Sequence, residues 1–293
     1  MKSSGSTAGS AGGSTHESAA ESKARLAGLG RSTAFGPELE LAIDLAHQAG
    51  RIQMDHYERL EDIRAKGPRD VVTEVDHLCE GLVMRAVQER YPSDSFYAEE
   101  IGEVAALSAA RSGRVWIVDP LDGTINYANG IPFFCISIAL VAEGRPVVGV
   151  IYDPTRDEMF SGAIDGPSLR NGQPIHVADK ELLSDVVATL AIGGHGTVRK
   201  RREALKSIRA HRSMGSAALT LVYVGCGRFD VYAQGAGLSA WDIAAAGLIA
   251  ERAGATVTNL EGGPWFDLAY PAKKWSCLAG SPRQHAAIAA MLK

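Results

Sequence analysis

The sequence predicts a mixed α and β fold in which helices are layered on largely antiparallel sheets. Apolar residues recur at helical spacing in several segments, whereas three short apolar segments between residues 133 and 162 are separated only by turn residues. The chain has 293 residues, of which 46% are hydrophobic and 22% charged. This composition is ordinary for a globular protein that buries a substantial core.

The first half of the predicted fold combines two helices with a strand-rich segment. Apolar residues at helical spacing predict helices at residues 38–57 and 75–91, and a short β-branched stretch at residues 71–73 predicts a strand or turn between them. An apolar run at residues 115–118 predicts a buried strand. Three further apolar segments, separated by turn residues, predict strands of an antiparallel meander at residues 133–141, 147–152 and 158–162.

The second half of the predicted fold is richer in helices. An Ala-rich stretch predicts a helix at residues 242–253, with Asp242 near its start and Gly254 just after its end. Three more helices are predicted from apolar spacing, at residues 197–210, 216–226 and 282–292. Two short strands complete the prediction, at residues 255–259 and 276–279.

Composition divides the chain into a tail and two halves. Residues 1–35 are rich in Ser, Gly and Ala, so they cannot bury enough apolar surface to offset the entropy of ordering and are predicted to be a disordered tail. This tail has no secretory h-region, and both a transit segment and an expression remnant stay open as its origin. A boundary near residue 185 separates an α+β half, residues 36–185, from a half carrying Asp242, residues 186–293.

Charge and cysteine usage exclude several classes of partner. The formal net charge of −4 gives no general attraction to nucleic acid or to an anionic membrane. No apolar run reaches the roughly 18 residues of a membrane-spanning helix. Four scattered cysteines form no CxxC pair, which indicates reduced thiols in a cytoplasmic protein: Cys79, Cys135, Cys226 and Cys277.

The most informative motif is the stretch WIVDPLDGTINY at residues 116–127. Asp119 and Asp122 follow the apolar strand, and Pro120 between them restricts the backbone. Gly123 permits a turn that other residues resist. Because two acids held at one strand end repel each other, the motif predicts a hard metal ion, and Mg²⁺ is the usual partner of carboxylate and phosphate oxygens.

Three other acidic groups have ordinary explanations when each is taken alone. An Asp at a helix start, such as Asp76 or Asp242, is usually a helix cap. The adjacent pair Glu99 and Glu100 is usually part of a solvated loop. The motif after residue 118 differs from these groups, because it lies between apolar strands where uncompensated acids are costly.

Taken together and in this order, the acidic groups resemble the inositol monophosphatase family of Mg²⁺-dependent, lithium-sensitive phosphatases. The resemblance rests on an acidic pair at Glu99, the stretch from Asp119 to Tyr127, and the pair Trp241 and Asp242 before a helix. It covers about residues 38–293. It implies an α-β-α-β-α sandwich of the inositol monophosphatase and fructose-1,6-bisphosphatase type, and commonly a homodimer.

The resemblance also implies two or three Mg²⁺ ions in each site. Glu99, Asp119 and the backbone carbonyl of Leu121 would bind one ion. Asp119, Asp122 and Asp242 would bind a second, so that Asp119 bridges the two. These assignments come from the family motif and from the positions that match it.

Catalytic and substrate-binding residues follow from the same resemblance. Thr124 and Glu99 would orient and deprotonate the attacking water. Asp76 would assist a third, looser ion or hold Thr124 by a hydrogen bond. The N–H groups of Gly123 and Thr124 would bind the phosphate, and further substrate contacts would come from Ser216, Ala217 and Asp242.

The implied reaction is hydrolysis of a small phosphate monoester, foremost inositol 1-phosphate, by metal-activated water. Histidinol phosphate is the alternative substrate, followed by fructose 1,6-bisphosphate and phosphoadenosine phosphate. A binding protein that lost catalysis, such as a partner of the transcription machinery, is a different class of function. The complete set of acidic residues argues against this class.

Two positions depart from the family pattern. Many members have Gly before the acidic pair, where this chain has Ala98. Inositol-selective members place a Glu seven residues before the metal-binding Asp, and that count falls here on Gly235, which Gln234 precedes. The second departure leaves the catalytic residues complete and the choice of alcohol open.

Overall fold

The computed structural model describes residues 33–60, 63–67, 70–100, 113–192 and 198–292. The predicted disordered tail therefore lies outside the described residues up to residue 32. Residues 33–35 form a turn that leads into the first helix.

Seven α-helices lie within these described ranges. In chain order they are α1 (Gly36–His56), α2 (Glu74–Arg90), α3 (Thr124–Ala128), α4 (Val198–Ser207), α5 (Ala217–Gly225), α6 (Ala240–Arg252) and α7 (Pro282–Leu292). The helices predicted from apolar spacing are confirmed, with ends that shift by a few residues. The short helix α3, which starts inside the acidic motif, was not predicted.

The same ranges contain fourteen strands. They are β1 (Ile63–Gly67), β2 (Asp70–Thr73), β3 (Ser95–Ala98), β4 (Arg114–Asp122), β5 (Cys135–Ala142), β6 (Arg145–Asp153), β7 (Glu158–Ala163), β8 (Leu169–Arg170), β9 (Gln173–Pro174), β10 (Val187–Ala191), β11 (Ala210–His211), β12 (Val231–Leu238), β13 (Thr256–Thr258) and β14 (Trp275–Gly280). Strands β1 and β2 pair as a small hairpin.

The larger sheet has seven strands in the order β3-β4-β5-β6-β7-β8-β9. All its pairs are antiparallel except β3 with β4, which are parallel. The predicted meander is therefore confirmed as β5, β6 and β7. The parallel edge matters for the site, because parallel neighbours end at the same edge of the sheet.

The smaller sheet has five strands in the order β11-β10-β12-β14-β13. Strand β10 pairs in parallel with β11 and β12, whereas β14 pairs antiparallel with β12 and β13. Strands β10 and β12 were not predicted, because their short or Gly-containing sequences show no clear alternation of apolar and polar residues.

Helices and sheets alternate in five layers, and three buried clusters fill the space between them. The first lies between helices α1 and α2 and one face of the larger sheet. The second contains α5 and α6, which pack between the two sheets. The third lies under α4 and α7 on the outer face of the smaller sheet. The larger sheet is covered on both faces because successive residues of a strand point to opposite sides. In β4, Trp116 and Val118 face the first cluster, while Val115 and Ile117 face the second.

Helix α6 belongs to the C-terminal half of the sequence but packs on β4, β5, β6 and β7 of the other half. This packing brings the start of α6 to the end of β4, where the acidic motif lies. We retain the division at residues 185 and 186 as a proposal about chain organisation. Among the helices of the described ranges, none combines the length and the apolar character needed to cross a membrane.

Candidate active site

Strand β4 ends in the two acids of the central motif. Asp119 is 2% exposed and Asp122 is 7% exposed, so both carboxylates are buried at the strand end. The ladder between β4 and β5 is irregular between these residues. Two hydrogen bonds hold this turn. The N–H of Leu121 donates to Asp119 Oδ1 over 3.0 Å, and Gln53 Nε2 on α1 donates to the Pro120 carbonyl over 2.8 Å.

Asp242 reaches the same point from helix α6. It occupies the third position of the helix and accepts a hydrogen bond from the N–H of Ser239, as in a capping box. One carboxylate oxygen from each of Asp119, Asp122 and Asp242 lies within 4.8 Å of the others. Asp242 is therefore both part of the cap of α6 and a member of the acidic cluster.

Glu99 follows strand β3 directly, beside the end of β4. Ala98 pairs with Val118, so the chain after β3 runs toward the buried acids. The turn is anchored by the N–H of Glu100, which donates to Glu80 Oε2 over 2.9 Å. Glu99 acts on the cluster electrostatically, since its charge is one of the causes that raise the pKa of Asp119.

Asp76 lies near the motif, at the start of α2. It is 1% exposed and accepts hydrogen bonds at Oδ2 from the N–H and the hydroxyl of Thr73, over 2.8 and 2.6 Å. The hydroxyl of Thr124 donates to the Leu121 carbonyl over 2.9 Å and lies 3.5 Å from Asp76 Oδ1. Asp76 is thus both a helix cap and a neighbour of the predicted catalytic threonine.

The turn between β4 and α3 depends on Gly123. Its φ of 99° lies in the left-handed region, which favours glycine. It directly precedes Thr124, the first residue of α3, and both residues are half-buried. Their N–H groups therefore belong to the first turn of a helix, where N–H groups lack partners within the helix.

Sequence reasoning missed how firmly Asp122 is held. The hydroxyl of Ser216 and the N–H of Ala218 donate to Asp122 Oδ2, and the N–H of Ala217 donates to Oδ1 over 3.2 Å. The Ser216 hydroxyl also caps α5 by accepting from the N–H of Leu219 over 3.2 Å. Ser216 and Ala217, predicted to contact the substrate, therefore contact a buried carboxylate.

Burial is the main cause that raises the pKa of all three clustered acids. For Asp119 the charges of Glu99, Asp122 and Asp242 raise the pKa further. For Asp122 the hydrogen bonds from Ser216 and neighbouring N–H groups oppose the rise. For Asp242 the charge of Asp122 adds to it, whereas the Ser239 N–H and the Lys273 ammonium lower it. The cluster without a cation is therefore electrostatically unfavourable when ionised.

The donor set fits a hard divalent cation. It consists of carboxylate oxygens, with Asp119 and Asp122 buried and Asp242 half-buried. The charges of these carboxylates repel one another, so a cation would relieve the repulsion. When bound, such a cation supplies charge neutralisation to a reacting phosphate. The chain itself supplies fixed carboxylates and oriented N–H and hydroxyl groups, and these need no rearrangement during a reaction.

Metal-free protein is expected to lose stability as pH rises above the ordinary Asp pKa of 3.8. The raised pKa values mean that the folded chain binds these protons more tightly than the unfolded chain, so the stabilisation present at low pH disappears through the raised values. A divalent cation removes this penalty. The Mg²⁺-induced rise in melting temperature should therefore be larger near about pH 8 than near about pH 5.

Thermal unfolding with EDTA or with saturating Mg²⁺ at both pH values checks this expectation. The variant Asp242→Asn is the control, because it removes one charge of the cluster and should weaken the pH dependence of the Mg²⁺ effect. An equal or larger effect of Mg²⁺ at the lower pH would contradict the electrostatic account.

The structure shows the backbone around Gly235, the position on which the count from Asp242 falls. The ladder between β12 and β14 pairs Gln234 with Cys277 and next pairs Leu238 with Trp275, so a bulge containing Gly235 lies between them. Counting back seven residues from Asp242 ends within this bulge, and Gln234 is the last paired residue before it.

Gln234 is held by a buried tyrosine. The Tyr232 hydroxyl donates to Gln234 Oε1 over 2.7 Å. Tyr232 is 1% exposed, and its pKa is raised by burial and by the charges of Cys277, Asp242 and Asp122. The Gln234 amide therefore projects from a strand that borders the acidic cluster.

Comparison with known proteins agrees with the family resemblance. The residue pattern of the inositol monophosphatase family matches residues 37–293. Inositol monophosphatase 3 of Solanum lycopersicum is 37% identical over 238 residues, covering 78% of this chain and 88% of the relative. The Nus factor SuhB of Pasteurella multocida is 36% identical over 237 residues, covering 78% of this chain and 87% of the relative.

A solved structure shares the fold as well as the sequence. The crystal structure of the extragenic suppressor protein suhB from Bartonella henselae has a TM-score of 0.80 and 33% identity, covering 88% of this chain and 98% of that chain. This likeness confirms the predicted layered sandwich with its two sheets. The chain belongs to the inositol monophosphatase family.

Proposed function

We propose that this chain is a Mg²⁺-dependent phosphatase that hydrolyses a small phosphate monoester, foremost inositol 1-phosphate. The observation that carries the proposal is the cluster of Asp119, Asp122 and Asp242, with carboxylate oxygens within 4.8 Å of one another. Asp122 directly precedes the turn at Gly123 and Thr124. Phosphate monoesters hydrolyse very slowly unless charge on the reacting oxygens is neutralised in place.

Two or three Mg²⁺ ions would occupy this site in the proposed enzyme. We assign Asp119 as the carboxylate shared by two ions, with Glu99 and the Leu121 carbonyl on one side and Asp122 and Asp242 on the other. The Leu121 carbonyl accepts a hydrogen bond from the Thr124 hydroxyl, and a carbonyl oxygen has a second lone pair with which it can bind a cation. The hydrogen bonds on Asp122 support its role, because they fix the carboxylate before a cation arrives.

The chain's own groups would act on the water and on the phosphate. Thr124 lies between the Leu121 carbonyl and Asp76, so its hydroxyl is oriented for a neighbouring water. Glu99 is the proposed acceptor of the water's proton. The N–H groups of Gly123 and Thr124, at the start of α3, are the proposed phosphate donors.

Phosphate release tests the proposal directly. The purified chain is incubated with inositol 1-phosphate, histidinol phosphate, fructose 1,6-bisphosphate and phosphoadenosine phosphate, with Mg²⁺ or with EDTA. We expect release that needs Mg²⁺ and that Li⁺ inhibits. No release from any of these esters would overturn the enzymatic function and favour a binding protein.

The variant Gln234→Glu is expected to shift substrate preference toward polyols. Gln234 Oε1 already accepts from Tyr232, so the amide offers N–H donors to a ligand, whereas a carboxylate would accept from substrate hydroxyls. A hydrogen bond to a charged group changes selectivity by about tenfold. The ratio of kcat/KM for inositol 1-phosphate to kcat/KM for fructose 1,6-bisphosphate should rise by that factor.

An exposed glutamine far from the site provides the control for this charge change. Gln173 lies on β9 at the far edge of the larger sheet, so Gln173→Glu should leave the ratio unchanged. Phenyl phosphate, whose leaving group has no further hydroxyl, reports on the chemistry alone. An unchanged ratio in Gln234→Glu would remove Gln234 from the substrate pocket.

The proposal also includes the oligomeric state and the cellular location. We infer a homodimer in the cytoplasm, because the family resemblance implies the former and the four cysteines are unpaired thiols. Light scattering after gel filtration measures the mass of the assembly. A monomeric mass at all concentrations would overturn the dimer.

A further inference from the structure

Asn126 connects three segments around the acidic motif. It lies on α3, two residues after Thr124, and is 8% exposed. Its Nδ2 donates to the Phe133 carbonyl over 2.7 Å and to the Met214 carbonyl over 2.7 Å. An amide NH₂ has two protons, so these two bonds use its full donor capacity.

The contact with Met214 leads directly to the segment that holds Asp122. Gly215 follows with a φ of 82°, and a Cβ atom placed there would lie 2.8 Å from Asn126 Oδ1. The amide therefore packs against the left-handed turn that directs the chain into α5. Ser216 comes next, and its hydroxyl donates to Asp122.

We propose that Asn126 is a positioning residue that fixes the carboxylate of Asp122 for cation binding. It acts through the chain from Met214 to Ser216, whose orientation decides where the donors to Asp122 point. This inference rests on the proposed function. It adds a group that touches neither cation nor substrate but joins the start of α3 to the start of α5.

The chemistry of the amide makes the role specific. The two carbonyls that Asn126 contacts are acceptors, so an isosteric carboxylate in its place would repel both. Ala would leave the two carbonyls without their donor and the Gly215 turn without its packing partner. Either change should displace the donors of Asp122, and loss of such supporting contacts lowers metal affinity by about 10- to 100-fold.

The test compares Asn126→Ala and Asn126→Asp with Asn129→Ala. Asn129 is the matched control, because its Nδ2 donates to the Ile125 carbonyl over 2.7 Å from an exposed position next to the same helix. The first readout needs no substrate: it is the Mg²⁺ concentration that gives half of the maximal rise in melting temperature. The second is the Mg²⁺ dependence of phosphate release, measured together with KM.

We expect both Asn126 variants to need about tenfold more Mg²⁺ in both readouts. Asn129→Ala should match the wild type. If Asn126→Ala does not fold, Gly215→Ala disturbs the same contact from the other side and should give the same shift. Variants that melt at lower temperature yet keep the wild-type Mg²⁺ requirement would show a purely structural role and overturn this inference alone. A wild type that shows no response to Mg²⁺ would overturn the proposed function as well.

Discussion

Replacing Asp122 by Asn is expected to abolish turnover while the chain stays folded. Asn keeps the shape of the side chain and one oxygen, which can still accept from Ser216 and Ala218. It loses the negative charge, and its NH₂ would face the N–H of Ala217. Because the proposed site acts by fixed charge around the phosphate, kcat/KM should fall by about a thousandfold or more.

The stability of this variant should move in the opposite direction to its activity. Asp122 and Asp242 repel each other, and desolvation raises the pKa of both carboxyls, so removal of one charge relieves the metal-free protein. The melting temperature in EDTA should therefore equal or exceed that of the wild type. The Mg²⁺-induced rise should shrink, which separates loss of cation binding from loss of folding.

Asp230→Asn provides the matched control for a lost buried charge. Asp230 is 1% exposed, pairs with Lys180 Nζ over 2.7 Å and accepts from the N–H of Val187 over 2.7 Å. It lies directly before β12, outside the acidic cluster. This variant should melt at lower temperature and retain near wild-type turnover per folded molecule. Wild-type turnover in Asp122→Asn would remove Asp122 from the proposed cation site.

The parts of the fold that apolar spacing predicts are those that bury one face locally. Helix α7 (Pro282–Leu292) has the predicted ends, and α2 (Glu74–Arg90) differs from its prediction by one residue at each end. Strand β12 (Val231–Leu238) could not be predicted in this way, since Gly235 and its neighbours break the alternation. Its pairing with β10 and β14, which lie far away in sequence, stabilises the strand instead.

In the candidate site, too, the sequence predicts the residues that local patterns mark but not the contacts between distant segments. The carboxylates of Asp119, Asp122 and Asp242 stand out in the sequence because each adjoins a strand end or a helix start. The donors that hold Asp122 come from residues 94 to 96 positions away, and the Met214 carbonyl lies 88 positions from Asn126. No spacing rule connects positions so far apart, so only the packing of α5 against the acidic motif reveals them.

Gly123→Ala is the second change with a large expected effect, and it should slow turnover by about a hundredfold. The φ of 99° is strained for any side chain, and a Cβ atom would lie 3.0 Å from the Phe133 carbonyl and 3.3 Å from Phe134 Cα. The strain should lower the free energy of unfolding by about 1 to 3 kcal/mol. The larger loss in rate follows because Gly123 lies between Asp122 and Thr124, so a backbone shift displaces both.

Gly144→Ala separates backbone strain from displacement of the site. Gly144 has a φ of 78° in the turn between β5 and β6, and a Cβ atom there would meet nothing within 4 Å. It should therefore lower stability without changing kcat or KM, as measured by thermal unfolding and phosphate release. A Gly123→Ala enzyme with wild-type kcat would contradict the proposed role of this turn. The Phe133 carbonyl, which the new Cβ atom in Gly123→Ala would displace, also accepts from Asn126. The Gly123→Ala enzyme should therefore need more Mg²⁺ as well as turn over more slowly.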